Sequence, residues 1–299
     1  ISTPNVANAL QGRVSGVFIS ASGAPGSSPE VRIRGIGTTN NSNPLYVVDG
    51  MFMDDISFLS NHDIESMEVL KDASATAVYG VKGANGVILV TTKRGQEGKA
   101  KIDVGFNATL KAPNKYDSYD ALMLRNQVVE RELGVYPEGV SYLRPQSFID
   151  NYRNQTTDEQ RERYANVDWQ DALFKKSAVS YNANVNVSGG TKFVKYFASA
   201  DFVHEGDLFR EYDNGRNYNS GYGYNRINVR SNLDFAITSS TTLKVNVAGS
   251  NGVRKAPWSN MSNSEWQIGQ QWAGAYNIAP DVFLPQYSDG TWGFYPAAS

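Results

Sequence analysis

Residues 44–95 read PLYVVDGMFMDDISFLSNHDIESMEVLKDASATAVYGVKGANGVILVTTKRG, and this stretch decides the fold of the N-terminal part of the chain. Leu45 to Val48 is a short apolar strand. Asp49-Gly50 supplies the positive φ values that a two-residue hairpin turn demands, so the chain returns as Met51 to Met53. Ile64 to Leu70 reads as a further strand, and Asp72 or Ser74 caps a short helix through Ala75, Ala77, Val78 and Tyr79 that Gly80 stops. Gly83 and Gly86 bracket a turn before the apolar strand Val87 to Thr92, which completes a β-α-β pattern.

Upstream, Thr3 and Pro4 form an N-cap and first-turn pair for a short helix through Val6, Ala9 and Leu10, ending near Gly12. Val14 to Ser20 and Val31 to Arg34 read as strands, separated by a loop rich in Ser, Gly and Pro. Gly35 to Pro44 is a second loop, which carries Asn40 and Asn41. These elements make a small α/β domain, an architecture that by itself assigns no function.

From residue 100 the pattern changes to long runs of period two. Ile102, Val104, Phe106, Ala108 and Leu110 alternate with Lys101, Asp103, Asn107 and Thr109. Val179, Tyr181, Ala183, Val185 and Val187 alternate with polar residues in the same way, as do Ile227, Val229, Leu233, Phe235 and Ile237, and then Leu243, Val245 and Val247. Residues 193–203 repeat the pattern less cleanly, with Phe193 and Phe197 on the polar parity. The runs reach about 10 residues or more, the length of strands that span a bilayer, whereas strands in general average about 5 to 6. The connections alternate as well. Residues 112–177 and 204–223 are long excursions, and Gly189 to Lys192 and Thr238 to Thr241 are tight turns, as in outer-membrane barrels. The first excursion contains an expected helix from Tyr119 to Leu133.

Composition removes several function classes. The chain has 299 residues, a formal net charge of -2, no cysteine and two histidines. That balance lacks a basic footprint for nucleic acid, and without cysteine there is no disulfide, thiol nucleophile or cysteine-ligated zinc. No run approaches the roughly 18 apolar residues of a spanning helix, a test that a β-barrel escapes because only alternate residues face lipid. The chain opens at Ile1 without an initiator Met or signal peptide and is expected to be part of a longer polypeptide.

No catalytic constellation emerges. Gly35-Ile36-Gly37 lacks a third spaced glycine, and Gly189-Gly190-Thr191-Lys192 has the letters of a phosphate loop without its order. Asp54-Asp55 reads as a solvated loop, and Asp213, Gly215 and Asn217 resemble a calcium loop only faintly, so calcium is a candidate for surface loops and no other cofactor is expected. Aromatic residues suggest binding. Tyr212, Tyr218, Tyr222 and Tyr224 share a loop with Asn214, Arg216, Asn217 and Asn219, a composition suited to stacking on sugars or clamping peptides. An interfacial aromatic girdle or a self-packed loop is the competing reading for Tyr222 and Tyr224. Trp169, Trp258, Trp266, Trp272 and Trp292 all fall in the long connections, where they line a ligand chamber, grip a partner or pack. Asn40, Asn41, Tyr212, Tyr218 and Trp258 are the ligand-binding candidates.

Taken in order, VANALQGRVSGV (6–17), Ile33-Arg34-Gly35, PLYVVDG (44–50), IESMEVLKD (64–72), Tyr79-Gly80 and Gly86-Val87 closely resemble the plug domain of SusC-like (RagA-like) TonB-dependent outer-membrane transporters. The resemblance implies a small α/β plug domain over 1–98, followed over 99–299 by antiparallel transmembrane strands with long extracellular loops, part of a barrel of the roughly 22-stranded class whose lumen must be blocked. It gives Arg34, Gly35, Asp49, Gly50, Glu68, Lys71, Asp72, Tyr79 and Gly80 a structural and gating role. It also implies TonB-driven import of a glycan or peptide nutrient across the outer membrane of a Gram-negative, Bacteroidota-type cell. The expected partners are a SusD-like surface lipoprotein, in a dimer of transporter-lipoprotein pairs, and TonB, through sequence not among these residues. The alternative is a soluble or surface glycan- or peptide-binding or adhesion module, in which the same alternation serves a water-exposed sheet with one packed face.

Overall fold

The computed structural model describes residues 5–20, 24–33, 42–114, 128, 130, 132–134, 145–212, 221–256, 273–276 and 278–293. The chain divides into two compact units. One comprises Ile1–Lys111, Ala178–Asp207 and Ser220–Trp258, and the other Ala112–Ser177, Leu208–Asn219 and Ser259–Ser299.

The first unit begins with a 3-10 helix, Val6–Leu10. Its N-cap is Asn5 rather than the Thr3 expected from sequence, and Asn5 Oδ1 accepts from Ala7 N at 3.0 Å. Strands β1 (Val17–Ser20) and β2 (Glu30–Ile33) pair antiparallel. A second sheet contains β3 (Leu45–Val48), β4 (Met51–Met53), β5 (Ile64–Leu70) and β6 (Val87–Thr92) in the order β4-β3-β6-β5. Asp49 at φ 48 and Gly50 at φ 88 make the tight β3–β4 turn. Val6, Leu10, Ile19, Val31, Ile33, Tyr46, Val48, Ile56, Leu59, Ile88 and Val90 form a common core.

The β-α-β expectation needs correction. β5 and β6 are antiparallel neighbours, and the parallel pair is β3 with β6. The helix between them is short because α1 (Ala73–Thr76) runs directly into a 3-10 segment, Ala77–Gly83, broken at Gly80 with φ 61 and ψ -150. Gly80, at non-helical φ and ψ, ends the first helical stretch as expected, and a further 3-10 turn follows it. The 71–86 connection is long enough for a parallel crossover, so the antiparallel outcome comes from the place of β6 between β3 and β5 and not from the length of the connection.

Five strands form the large sheet of the same unit: β7 (Gly98–Lys111), β8 (Ala178–Gly190), β9 (Val194–Glu205), β10 (Gly223–Ala236) and β11 (Thr242–Lys255). They run as an antiparallel meander in the order β11-β10-β9-β8-β7. At about 3.3 Å per residue, strands of 12 to 14 residues extend about 40 Å or more. The sheet inverts the usual burial. Val104 is 77% exposed and Ile102, Phe106, Val185 and Val229 are exposed with it, while Asn184, Asp201, Arg226, Asn228, Arg230 and Asn232 are buried. The apolar face carries an aromatic cluster near each end of the strands. Tyr181 lies 6.3 Å from Phe106, 6.1 Å from Phe202 and 4.9 Å from His204. At the tight-turn end, Phe193 meets Phe235 at 6.3 Å. Phe197 and Val203 lie on the polar face and are buried, which explains the irregular alternation of this strand.

The second unit contains α2 (Gln146–Arg153), α3 (Asp158–Arg163) and α4 (Trp169–Leu173). Thr157 and Gln160 close a capping box on α3, and Asp168 Oδ1 accepts from Gln170 N and Asp171 N, both at 3.0 Å, to cap α4. Trp169 is a core residue here, with its ring 4.8 Å from Phe283 and its Nε1 donating to Ala279 O at 3.2 Å. Most of the expected Tyr119 to Leu133 helix lies outside the described residues.

Candidate functional site

The buried polar face of the large sheet meets the N-terminal elements within the first unit through a series of side-chain contacts. Near the tight-turn end, the hairpin turn itself is the anchor. Asp49 Oδ1 accepts from Thr92 N at 2.9 Å, and Thr92 Oγ1 donates to Asp49 Oδ2 at 2.5 Å. Thr92 Oγ1 in turn accepts from Asn232 Nδ2 at 2.8 Å, and the same amide donates to Lys93 O at 2.8 Å. Thr92 and Asn232 are each 1% exposed. Arg94 follows, paired with Asp234 at 2.6 Å and donating to Asn246 Oδ1 at 3.1 Å.

Midway along the strands, Arg230 Nε faces Asp63 Oδ2 at 3.4 Å, both side chains buried. The two side chains face each other as a buried ion pair. Burial pushes the Asp63 carboxyl above the usual aspartate range, aided by the charge of Asp201 and opposed by a hydrogen bond from Ser199 and the Arg230 charge. Beside it, Asn182 Nδ2 donates to Asp201 Oδ2 at 2.5 Å, which leaves Asn182 Oδ1 to accept from His62 Nε2 at 3.2 Å and places the imidazole proton on Nε2. Asn228 Nδ2 donates to Asp201 Oδ1 at 3.2 Å. Towards the long-loop end, Arg226 donates to Ser57 O, and Gly26 N donates to Glu205 Oε2 at 2.7 Å. A polar cavity of about 320 Å³ lies at the tight-turn end, lined by Glu65, Lys93, Arg94, Lys99, Asn186 and Phe197 among others.

The sequence-derived candidates fall in several places. Asp49 and Gly50 form the anchoring turn. Lys71 donates to Ser15 O and to Ser15 Oγ at 3.1 Å, which ties β5 to the chain before β1. Asp72 is the N-cap residue of α1, and Glu68 lies exposed on β5 opposite Leu89. Tyr79 packs edge-on to Phe52 at 6.1 Å, and Gly80 is the break after it. Arg34, Gly35, Asn40, Asn41, Tyr218 and Trp258 lie outside the described residues, as do Asp213, Gly215, Asn217, Trp266 and Trp272. Tyr212, in the second unit, is partly exposed, donates to Ala172 O, and meets Trp292 edge-on at 5.6 Å. Tyr222 and Tyr224 do not form a girdle. Tyr222 is buried, and the Tyr224 ring lies against Gly26 and Gly252 on the polar side of the sheet.

Period two places Arg230 and Asn184 on the parity opposite the apolar residues, but Asp63, Thr92, Arg94 and Glu205 carry no local signal. Their roles arise from pairings across more than 100 positions, as in the Asn232–Thr92 and Arg94–Asp234 contacts. Among the described residues, no group of three or more His, Cys, Asp or Glu could hold a metal ion.

This arrangement, a small α/β domain docked on the polar face of long strands whose other face is apolar, agrees with comparison to known proteins. Residues 2–87 match the TonB-dependent receptor plug domain family. TonB-dependent receptor P3 of Formosa agariphila is 34% identical over 296 residues, covering 97% of this chain and 26% of that protein. TonB-dependent receptor SusC of Bacteroides thetaiotaomicron is 34% identical over 222 residues, covering 70% of this chain and 20% of that protein. The chain thus spans about a quarter or less of the length of these relatives. The solved structure of the RagAB peptide importer in the open-open state shares the fold with a TM-score of 0.68 at 24% identity, over 99% of this chain and 34% of that one. The closed-closed state gives 0.65. The chain belongs to the TonB-dependent receptors, a family of receptors and not of enzymes, and within them it is SusC-like. The small domain is the plug, and the five strands are barrel wall.

Proposed function

We propose that the protein imports a nutrient, a glycan or a peptide, across the outer membrane of a Gram-negative, Bacteroidota-type cell, with the plug as its gate, TonB as its energy source and a SusD-like surface lipoprotein as its partner. The observation that carries this reading is the inverted wall. Exposed Ile102, Val104, Phe106 and Val229 suit lipid, while Asn184, Arg226, Arg230 and Asn232 are buried against the plug. A soluble module with one packed face would bury the first set and expose the second, so the burial disfavours that alternative. The tight turns on this reading are periplasmic and the long connections extracellular. Support for the cargo class comes from relatives, one named SusC and one described as a peptide importer. A gate must also be able to leave its seat. The polar contacts of Asp63, Arg94 and Asn232 can be exchanged for water, which a dry apolar seam would not allow at comparable cost.

Deletion of residues 1–95 from the full-length protein tests the gate. A deletion shown to be folded and inserted should pass large hydrophilic solutes such as vancomycin without TonB, while the parent stays closed. An assembled deletion as impermeable as the parent would place the gate elsewhere.

A further inference from the structure

We propose that the turn at Gly26 is a latch that positions the plug on the wall, held by Glu205 and Tyr224, the residues that bracket the 206–222 connection at the ends of β9 and β10. Its use rests on the import reading, and its existence rests on geometry. Gly26 N–H donates to Glu205 Oε2 at 2.7 Å across 179 positions of sequence. Glu205 is the last residue of β9, and its side chain is buried. A carboxylate is expensive to bury unless donors meet it, and an N–H to carboxylate bond is of the stronger, charge-assisted kind. Gly26 has φ 69, and a Cβ there would lie 2.5 Å from Tyr224 Cδ2 and 2.6 Å from Cγ. A side chain is therefore excluded twice, by the left-handed backbone and by the ring. The same ring abuts β11, since a Cβ on Gly252 would lie 2.7 Å from the Tyr224 hydroxyl. Two glycines, one on the plug and one on the wall, thus make room for one tyrosine. The turn is braced locally, with Ser27 N at 3.1 Å and Ser27 Oγ at 2.8 Å donating to Ala24 O.

The position along the strands gives the contact its meaning. The Asp49, Thr92, Asn232 and Arg94 contacts hold the plug near the tight-turn end of the wall. The Gly26 contact sits at the opposite end, where β9 and β10 run into the long connection. Glu205 and Tyr224 face each other on paired strands beside that connection, and both hold the same glycine. Among the described residues, the latch is thus a plug contact placed at the very ends of β9 and β10, beside the long connection.

Hydrogen exchange on the full-length protein, read in peptides covering 24–33 and 88–95, tests the latch. Glu205→Ala should accelerate exchange over 24–33 by roughly tenfold or more and leave 88–95 unchanged. Glu205→Gln keeps an oxygen that can accept the Gly26 N–H and should stay within about threefold of the parent. Gly26→Ala should act like Glu205→Ala although the carboxylate remains. Parent-like exchange in Glu205→Ala, equal speeds in the Gln and Ala variants, or acceleration shared with 88–95 would each overturn the proposal, the last by showing general loosening. The import reading fails by a different measurement, the permeability of the 1–95 deletion, so the two can be judged separately.

Discussion

Asp63 and Arg230 show how a single buried pair can make the seat of the plug dependent on pH. The folded-state value of Asp63 is raised, chiefly by burial, so the docked plug holds a proton there more tightly than the unfolded chain does. The stability from this group is fully present below the ordinary aspartate range and is lost as pH rises through the raised value. Mild acidification should therefore slow hydrogen exchange around residues 60–66 after correction for the intrinsic pH effect, and Asp63→Asn should abolish that dependence. Exchange in the parent that is flat or opposite in pH would refute it. The two partners also differ in what their loss leaves behind. Arg230→Met leaves a carboxyl that can neutralise itself by taking a proton, whereas Asp63→Asn leaves a guanidinium that cannot. Arg230→Met should therefore destabilise docking at neutral pH, by up to about 3–5 kcal/mol for a fully buried pair, whereas Asp63→Asn, which stands in for the protonated carboxyl, should hold docking near the level of the acidified parent. Low pH should rescue the Arg230 variant and leave the Asp63 variant unchanged.

At the scale of elements, the long strands were legible because one chemical rule governs each of their faces. Period two in Ile102 to Leu110 and in Ile227 to Ile237 marked both the strands and their facing, and the structure exposes Ile102, Val104 and Val229 while burying Arg230. The Asp49-Gly50 turn was legible for the same reason, a local rule met by local residues. Pairing was not. That β6 lies parallel to β3 and antiparallel to β5 depends on contacts that no window of sequence contains, and the β-α-β reading assigned the wrong partner relation to β5. The irregular β9 was unclear because Phe197 and Val203 are apolar residues buried on the otherwise polar face. Single-cysteine labels in this cysteine-free segment give a direct test of facing in the full-length protein. Quenchers dissolved in lipid should reach labels at Val104, Val185 and Val229 but not at Asn107, Asn184 or Arg230. The reverse pattern would mean a one-residue slip in register, which flips every side chain to the other face.

At the scale of the whole molecule, the wall is, among the described residues, an open sheet in which β7 and β11 each pair on one side only. In water such an edge is solvated, but in hydrocarbon each unmet N–H or C=O costs several kcal/mol, and strands of 14 residues expose a full row of them on each side. The apolar face adds to the problem, because Val104, Leu110, Val229 and Val247 are exposed together and would drive association in water. Residues 1–299 expressed alone should therefore neither stay monomeric in buffer nor insert as a stable body. In detergent or vesicles they should lack the shift on heating that a closed barrel shows in gel electrophoresis, whereas the full-length protein should show it. Closure, rather than any one contact, would then be the source of the wall's stability, since it alone removes both edges. A heat-modifiable, protease-resistant band from the 299-residue segment would show instead that the plug can support a partial wall through the Asn232, Arg230 and Glu205 contacts, and would shift the weight of stability from the barrel to its plug.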